Sequence, residues 1–347
     1  MKVLKQTVED KIIKNVLNSK LPFHKLRNKK ILVTGCNGFV SSSFIYYLYK
    51  VMKKKKYRIY FYGIRRNKRN NYLKKLEKNK IIKVFKVDLN KKINLKIKPD
   101  ILLHAASITS PVEYSQKPTE VLLTNAIGTI NLLNFAIKQK INKFLLLSSG
   151  EVYGDMRFSK KHTFDENSLG DLNPSKLSSN YGISKKFAEN ALISWSNKYN
   201  IFTNSVRLFH TYGPEMKLND GRIHSDLVHN ILCNKNLIIK SDGKTKRSFC
   251  YISDAITGML TVILKGKKNE IYNVSNPSQM LSVKDLAKTI LRYSKIKKLK
   301  IKIMKNSKKR NNFFYKKPSI KKLKLLGWTP KITCKEGFAE TIKYFKN

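Results

Sequence analysis

Two short runs hold the residues of this chain best suited to chemistry. Tyr181-Gly182-Ile183-Ser184-Lys185 opens a stretch with helical periodicity, and the i, i+4 spacing sets the phenol and the ammonium on one helix face. A cation near a tyrosine lowers the phenol's pKa and fits it to take a proton from an alcohol near neutral pH. Upstream, Ser148-Ser149-Gly150-Glu151-Val152-Tyr153-Gly154 follows an apolar run, which places the Ser149 hydroxyl and the Glu151 carboxylate at the end of an expected central strand. The hydroxyl there can bridge a reacting oxygen and the tyrosine, and the carboxylate supplies a base for a neighbouring carbon acid. Tyr and Lys at this spacing arise by chance on many helices, so the serine run is what gives the pair its meaning.

A third run speaks of a cofactor. The apolar residues 31–34 pass directly into Gly35-Cys36-Asn37-Gly38-Phe39-Val40-Ser41 and then a helix. Glycines at a strand-to-helix junction permit a tight turn and close approach of backbone amides to a pyrophosphate, and the helix N-terminus favours its charge. Gly35, Asn37, Gly38, Phe39 and Val40 are therefore the candidate cofactor residues, with Ser41 standing where the pattern has a third glycine. The acidic residue that binds ribose hydroxyls at the end of the second strand is missing, because no Asp or Glu occurs between Gly38 and Glu77. Arg65 and Arg66 stand there instead and suit a 2′-phosphate, so NAD and NADP both stay open.

The elements that must position these runs follow from the hydrophobic pattern. Strands are expected at 31–34, 58–63, 81–87, 101–104, 144–148 and 204–208, with helices at 44–51, 121–137 and 181–199 between them. Apolar strands alternating with helices imply a Rossmann-type α/β fold, a doubly wound parallel sheet covered on both faces. After residue 208 the pattern mixes strands at 237–240, 248–252 and 271–274 with helices at 226–233 and 283–293, as in a smaller mixed α/β substrate lobe. We therefore expect an N-terminal helical extension over 1–28, a dinucleotide-binding domain over 29–208, and a substrate lobe over 209–347 partly interleaved with it. In the extension, Val8, Ile12, Ile13, Val16 and Leu17 share one helix face.

Composition narrows the function classes. The 72 Lys and Arg against 22 Asp and Glu leave a formal +50, which raises nucleic acid as a partner. Only 11 of those residues are Arg, and the 61 Lys are spread among Asn, Ile, Tyr and Phe along the whole chain, the pattern of an AT-rich coding bias. With no nucleic-acid motif present, a specific nucleic-acid partner is not expected, although runs such as 53–56 and 308–310 can attract anions. No apolar run approaches the ~20 residues of a membrane span, and the N-terminus has no signal-peptide pattern. Cys36, Cys233, Cys250 and Cys334 show no paired spacing, which suits reduced thiols in the cytoplasm and no metal site.

Taken together the motifs resemble the extended short-chain dehydrogenase/reductases, the NAD-dependent epimerase/dehydratase family that remodels nucleotide sugars. The resemblance runs from about residue 30 to 344. It rests on the glycine loop, Val87-Asp88-Leu89, His104-Ala105-Ala106, Asn125 followed by Gly128-Thr129, the serine run, the Tyr181 to Lys185 run, Arg207-Leu208-Phe209-His210-Thr211-Tyr212-Gly213-Pro214, Arg247 to Asp254, and Leu326-Gly327-Trp328-Thr329-Pro330. The resemblance implies NAD as cofactor, with NADP as the variant Arg65 and Arg66 would favour, and a nucleotide-sugar substrate. It makes Tyr181 the base, Lys185 its electrostatic partner and ribose ligand, and Ser149 the hydroxyl that orients the sugar. Asp88 would bind the adenine, with Leu89, Ala105, Ala106 and Asn125 also lining the cofactor. Arg222 and Arg247 match positions that contact the substrate's nucleotide and diphosphate, and His210 stands where many members have Asn. It also implies a homodimer built on two helices from each subunit, 121–137 and 181–199.

Oxidation at the sugar's C4 is the common first step in such enzymes, and three routes can follow. Glu151 favours the lyases, because dehydratases and decarboxylases of the family carry Glu at that place while simple 4-epimerases usually do not. Dehydration of the 4,6 type is the first expectation, decarboxylation of a glucuronate the second and 4-epimerisation the third. Gly150 stands where many glucose-type dehydratases have an Asp acid, which the mannose-type dehydratases lack. The runs Asn219 to Arg222 and Arg247 to Asp254 resemble UDP-glucuronate decarboxylases, in which an Arg can receive the sugar carboxylate. The alternative from another class is a non-catalytic nucleotide- or RNA-binding protein on the same scaffold, for which the intact Ser149, Tyr181 and Lys185 would be superfluous.

Overall fold

The structure, a computed structural model, describes residues 2–66, 71–154, 163–294, 296, 298–304 and 317–346. Its centre is a seven-stranded sheet of β1 (Lys30–Thr34), β2 (Tyr60–Arg65), β3 (Ile82–Lys86), β4 (Ile101–His104), β5 (Lys143–Ser149), β6 (Phe202–Leu208) and β7 (Glu270–Val274). The spatial order is β7-β6-β5-β4-β1-β2-β3, and every neighbouring pair is parallel. This is the doubly wound Rossmann arrangement. Leu32, Leu102, Leu103, Phe144, Leu145 and Leu146 are fully buried, as strands covered on both faces must be.

Helices close both faces: α1 (Lys2–Leu17), α2 (Phe39–Lys54), α3 (Asn71–Lys78), α4 (Pro111–Gln116), α5 (Pro118–Lys138), α6 (Asn180–Tyr199), α7 (Ile223–Leu232), α8 (Ile252–Lys265), α9 (Val283–Ser294) and α10 (Cys334–Phe345). One π turn, Leu123–Ile127, interrupts α5 at Asn125. A strand was expected across 248–252. The chain instead makes two short strands, Lys246–Ser248 and Cys250–Tyr251, and α8 starts at Ile252, because Phe249 is drawn into the core.

α1 is no appendage. Val8, Ile12, Ile13 and Val16 are at most 2% exposed and belong to the same apolar core as α2, α8 and α10. Glu9 accepts a hydrogen bond from Tyr46 of α2, and Lys11 pairs with Glu340 of α10. β7, from residues 270–274, completes the sheet beside β6, so the C-terminal half contributes directly to the Rossmann layer. The C-terminal run docks on α8, where the Trp328 indole donates to Thr257 at 3.0 Å.

A further difference from the sequence expectation concerns membranes. α5 is long and apolar enough to cross one, although only 44% of its apolar window is buried. It is apolar on two sides: Leu132, Leu133 and Phe135 pack beneath the sheet, while Leu122, Leu123 and Ile127 face outward at about 40% exposure. All four cysteines are free thiols, three of them buried. The basic run 308–310 lies outside the described residues.

Candidate active site

The sheet order reverses at β1, flanked by β2 on one side and β4 on the other, and the crevice at the carboxyl ends of these strands is where such folds take ligands. The glycine loop sits in that crevice. Gly35 has φ +61°, and a Cβ there would lie 2.7 Å from the Ala106 backbone, so only glycine lets the β1 and β4 ends close together. Gly38 caps α2, whose first amides open onto the crevice. Ser41, at the position of the third glycine, is buried and donates its hydroxyl to the carbonyls of Gly35 (2.5 Å) and Gly38 (3.1 Å). Asn37, Phe39 and Val40 are half-buried around it.

A buried relay holds the opposite wall. Thr129 donates to the Asn125 carbonyl (2.6 Å) and so accepts from His104 Nε2 (3.1 Å). That leaves His104 Nδ1 to accept from Thr34 (2.8 Å), whose oxygen receives the amides of Ala105 and Ala106 (3.2 Å each). Burial lowers His104 to about 3, so the ring stays neutral as this relay requires. Asn125 is buried, its amide donating to Ser184 at 2.9 Å while its Oδ1 has no partner. Arg65 is half-buried and Arg66 exposed at the end of β2. Exposed Asp88 accepts from the Asn90 amide, and Leu89 anchors Asn131 through its carbonyl. The candidates of the glycine loop, Arg65, Arg66, Asp88, Leu89, Ala105 and Ala106 thus follow the carboxyl ends of β1 to β4, while Asn125 lies on α5 and Tyr181 and Lys185 on α6. An orphaned buried oxygen and a cradle that a Cβ would fill are features a dinucleotide would satisfy.

The catalytic candidates converge on the next strand along. Tyr181, 8% exposed, and Lys185, 2% exposed, face β5 from the first turns of α6. The Lys185 ammonium donates to the Leu147 carbonyl at 3.0 Å and lies 5.9 Å from the Tyr181 ring centre. Burial pushes the Tyr181 phenol up to about 12; hydrogen bonding from Ser149 and then Ser107 pulls against that, while the Glu151 carboxylate adds to it. In this geometry the Lys185 ammonium is turned to a carbonyl while remaining near the phenol ring, and the two serines are the hydrogen-bonding groups that oppose the effect of burial. Burial brings Lys185 itself down to about 8, opposed by Glu189.

Glu151 lies in a single 3-10 turn, Gly150–Tyr153, and its amide donates to the hydroxyl of the capping Ser149 at 3.2 Å. Gly150 lies beneath the Phe209 ring, and a Cβ at 150 would come within 2.4 Å of it. On the substrate side, Arg222 forks onto Asp220, and the Ser110 hydroxyl ties the Asp220 carbonyl to the start of α4. Arg247 lies on the strand Lys246–Ser248. His210, at φ +29°, packs beside Phe249 and His224.

Three residues of this site escape a sequence reading. Tyr114 stacks on Tyr181 with ring centres 5.5 Å apart and planes 9° from parallel, and the charges of Glu151 and Arg247 both act on it. Ser107 follows Ala106 at the end of β4. His224 is 1% exposed with an unpartnered Nδ1, lowered to about 3 by burial and then by Arg222 and Arg247. Tyr114 lies on α4 outside the motifs, and His224 lies on α7 two residues after Arg222; no spacing rule points to either.

The fold is a Rossmann fold with the candidate residues Ser149, Tyr181 and Lys185 gathered at the end of β5. The model of the NAD dependent epimerase/dehydratase family matches residues 31–275, and the chain belongs to that family. It is 32% identical over 316 residues to UDP-glucuronic acid decarboxylase 6 of Arabidopsis thaliana, covering 89% of this chain and 87% of the relative. It is likewise 32% identical over 257 residues to UDP-glucuronic acid decarboxylase 1 of Xenopus tropicalis, covering 73% of this chain and 58% of that protein. Among solved structures, UDP-glucuronic acid 4-epimerase of Bacillus cereus, in complex with UDP-glucuronic acid and NAD, superposes with a TM-score of 0.75 at 22% identity, covering 91% of this chain and 99% of the other. The dTDP-glucose 4,6-dehydratase of Bacillus anthracis, in complex with NAD, gives 0.74 at 21%, covering 92% and 96%. At such identities these structures bear on the fold.

Proposed function

We propose that this enzyme uses NAD to oxidise C4 of a nucleotide-linked sugar and then acts as a lyase, with decarboxylation of a nucleotide-linked glucuronate as the favoured branch. Tyr181 takes the proton of the C4 hydroxyl, Ser149 holds the same oxygen, and Lys185 binds the cofactor ribose. The Gly35–Gly38 loop, Asp88, Ala105, Ala106 and Asn125 would hold NAD, which would supply the hydride acceptor at C4 and the hydride for the final reduction. With a ketone at C4, the electrons of the C5–C6 bond pass into an enolate as the carboxylate leaves as carbon dioxide. Glu151 directs a proton to C5, and Tyr181 gives its proton back to the C4 oxygen as the ketone is reduced.

The observation that carries the choice is Gly150 under Phe209. Loss of a 6-hydroxyl needs a general acid, and the position that supplies it in many glucose-type dehydratases has no room for a side chain here. Carbon dioxide leaves without an acid. The similarity to UDP-glucuronic acid decarboxylases points the same way. Dehydration remains the second reading because Glu151 sits where a C5 base belongs. Incubation with UDP-glucuronic acid and with dTDP-glucose decides: carbon dioxide and a nucleotide pentose from the first support decarboxylation, and a 4-keto-6-deoxy sugar from the second would replace it with dehydration. Mass spectrometry of the cofactor released on denaturation tests NAD against NADP.

A homodimer through α5 and α6 is part of the same proposal, supported by the outward Leu122, Leu123, Ile127 and Phe187 on these two helices. We place the enzyme in the cytoplasm, where four free thiols persist.

A further inference from the structure

Behind the Tyr181–Lys185 face lies a buried ion pair that no step of the proposed reaction uses. Arg207 of β6 donates from Nε to Glu189 Oε1 at 2.9 Å and from Nη2 to Glu189 Oε2 at 2.7 Å, a two-pronged fork whose partners are 7% and 5% exposed. Its Nη1 reaches the Tyr153 hydroxyl at 2.7 Å and the Glu166 carbonyl at 3.0 Å. Ser148 adds a third donor to Glu189 at 2.5 Å, and the Tyr153 hydroxyl donates to Asn273 Oδ1 at 2.8 Å. Both oxygens of Glu189 are thereby occupied.

Glu189 stands four residues after Lys185 on α6, the spacing at which opposite charges pair along one helix face. That pair does not form. Lys185 donates to the Leu147 carbonyl, although Glu189 is near enough to act on its charge. The guanidinium fork matches a carboxylate at two points where an ammonium makes one, so Arg207 wins the competition. Without Arg207, Glu189 would be a buried carboxylate lacking its main partner, with Lys185 and Lys186 the cations whose charges it already feels.

We propose that Arg207 is a positioning residue that holds Glu189 away from Lys185, leaving the Lys185 ammonium for the cofactor ribose. The same guanidinium grips Tyr153, two residues after Glu151, and so ties the Glu151 turn to the helix of Tyr181. The proposal rests on Lys185 being a cofactor ligand.

NADH binding, followed by nicotinamide fluorescence, tests it without knowledge of the sugar. Arg207→Met should weaken NADH by about ten-fold or more, since a freed buried carboxylate captures Lys185. Adding Glu189→Gln to that variant should restore most of the affinity, although it leaves every bond of the fork unmade. Lys185→Met on top of Arg207→Met should cost little more. Arg207→Met binding as the wild type does, or a double variant no better than Arg207→Met, would overturn the proposal. Should Arg207→Met not fold, the double variant, with no buried charge left at either position, still has to bind NADH near the wild-type level, and failure there counts against the idea. Wild-type protein that binds no NADH would instead remove the cofactor reading beneath it.

Discussion

At the residue scale, the site is a set of polar groups whose burial sets their charge. With Tyr181 as the proposed proton acceptor, Tyr181→Phe should lower turnover by at least about a thousand-fold while most of the NADH affinity remains, because the Gly35–Gly38 loop lies on other elements. Turnover within ten-fold of wild type would remove Tyr181 from the chemistry. Lys185 gives a pH prediction. Its folded value of about 8 lies below the 10.5 of an unfolded lysine. Between those values the unfolded chain binds more protons, so the group's share of stability is present above 10.5 and lost as pH falls to 8. Lys185→Met removes that burden. Its gain in unfolding free energy over wild type should therefore be largest below pH 8 and fade towards pH 10.5, as urea titrations across this range would read. Gly150→Ala should lower the melting temperature by several degrees, through the clash with Phe209, which costs about 1–3 kcal/mol.

Among the elements, α1 is the one whose role changes most on seeing the fold. Its apolar face is plain in the sequence, yet its packing partners α2, α8 and α10 come from three distant parts of the chain. Deleting residues 1–20 removes Val8, Ile12, Ile13 and Val16, whose burial contributes about 1.5–3 kcal/mol each, and uncovers the apolar faces of α2, α8 and α10 beneath them, a loss of more than half the stability of a typical domain. The truncated protein should be insoluble or melt at least ten degrees lower in calorimetry. An unchanged melting temperature would make α1 an accessory after all. The motif elements were easier to read, because β1, β4 and β5 are short continuous apolar runs and α6 is a long helix that opens on the Tyr181 to Lys185 run. The boundaries at 248–252 were not, because Phe249 turns inward between two short strands and interrupts the pattern.

For the whole molecule, the formal +50 is spread over the chain while the site gathers only a few cations. Arg222 and Arg247 flank the substrate side and Arg65 and Arg66 the cofactor side, where phosphates are expected. Binding to RNA should accordingly be weak and lost between 50 and 200 mM salt, in roughly the steep manner of non-specific contacts. Tight, salt-resistant RNA binding in gel-shift titrations would revive the non-catalytic reading. The outward face of α5 and α6 predicts a dimer by light scattering, and Ile127→Asp should shift it to monomer by burying a charge in an apolar contact. A monomeric wild type would leave that face without the proposed partner.

The sequence by itself determined the scaffold and the core of the site. Gly35, Ser149, Tyr181 and Lys185 lie in local patterns whose chemistry depends on neighbours within a few residues, and strand and helix periodicity is equally local. Only the tertiary structure decided which side chains meet across the chain: Tyr114 against Tyr181, Phe209 over Gly150, and Arg207 on Glu189 in place of Lys185. These contacts depend on strand order and on which face each helix buries, and the charges they set depend on burial. Neither can be read from residue spacing along a line.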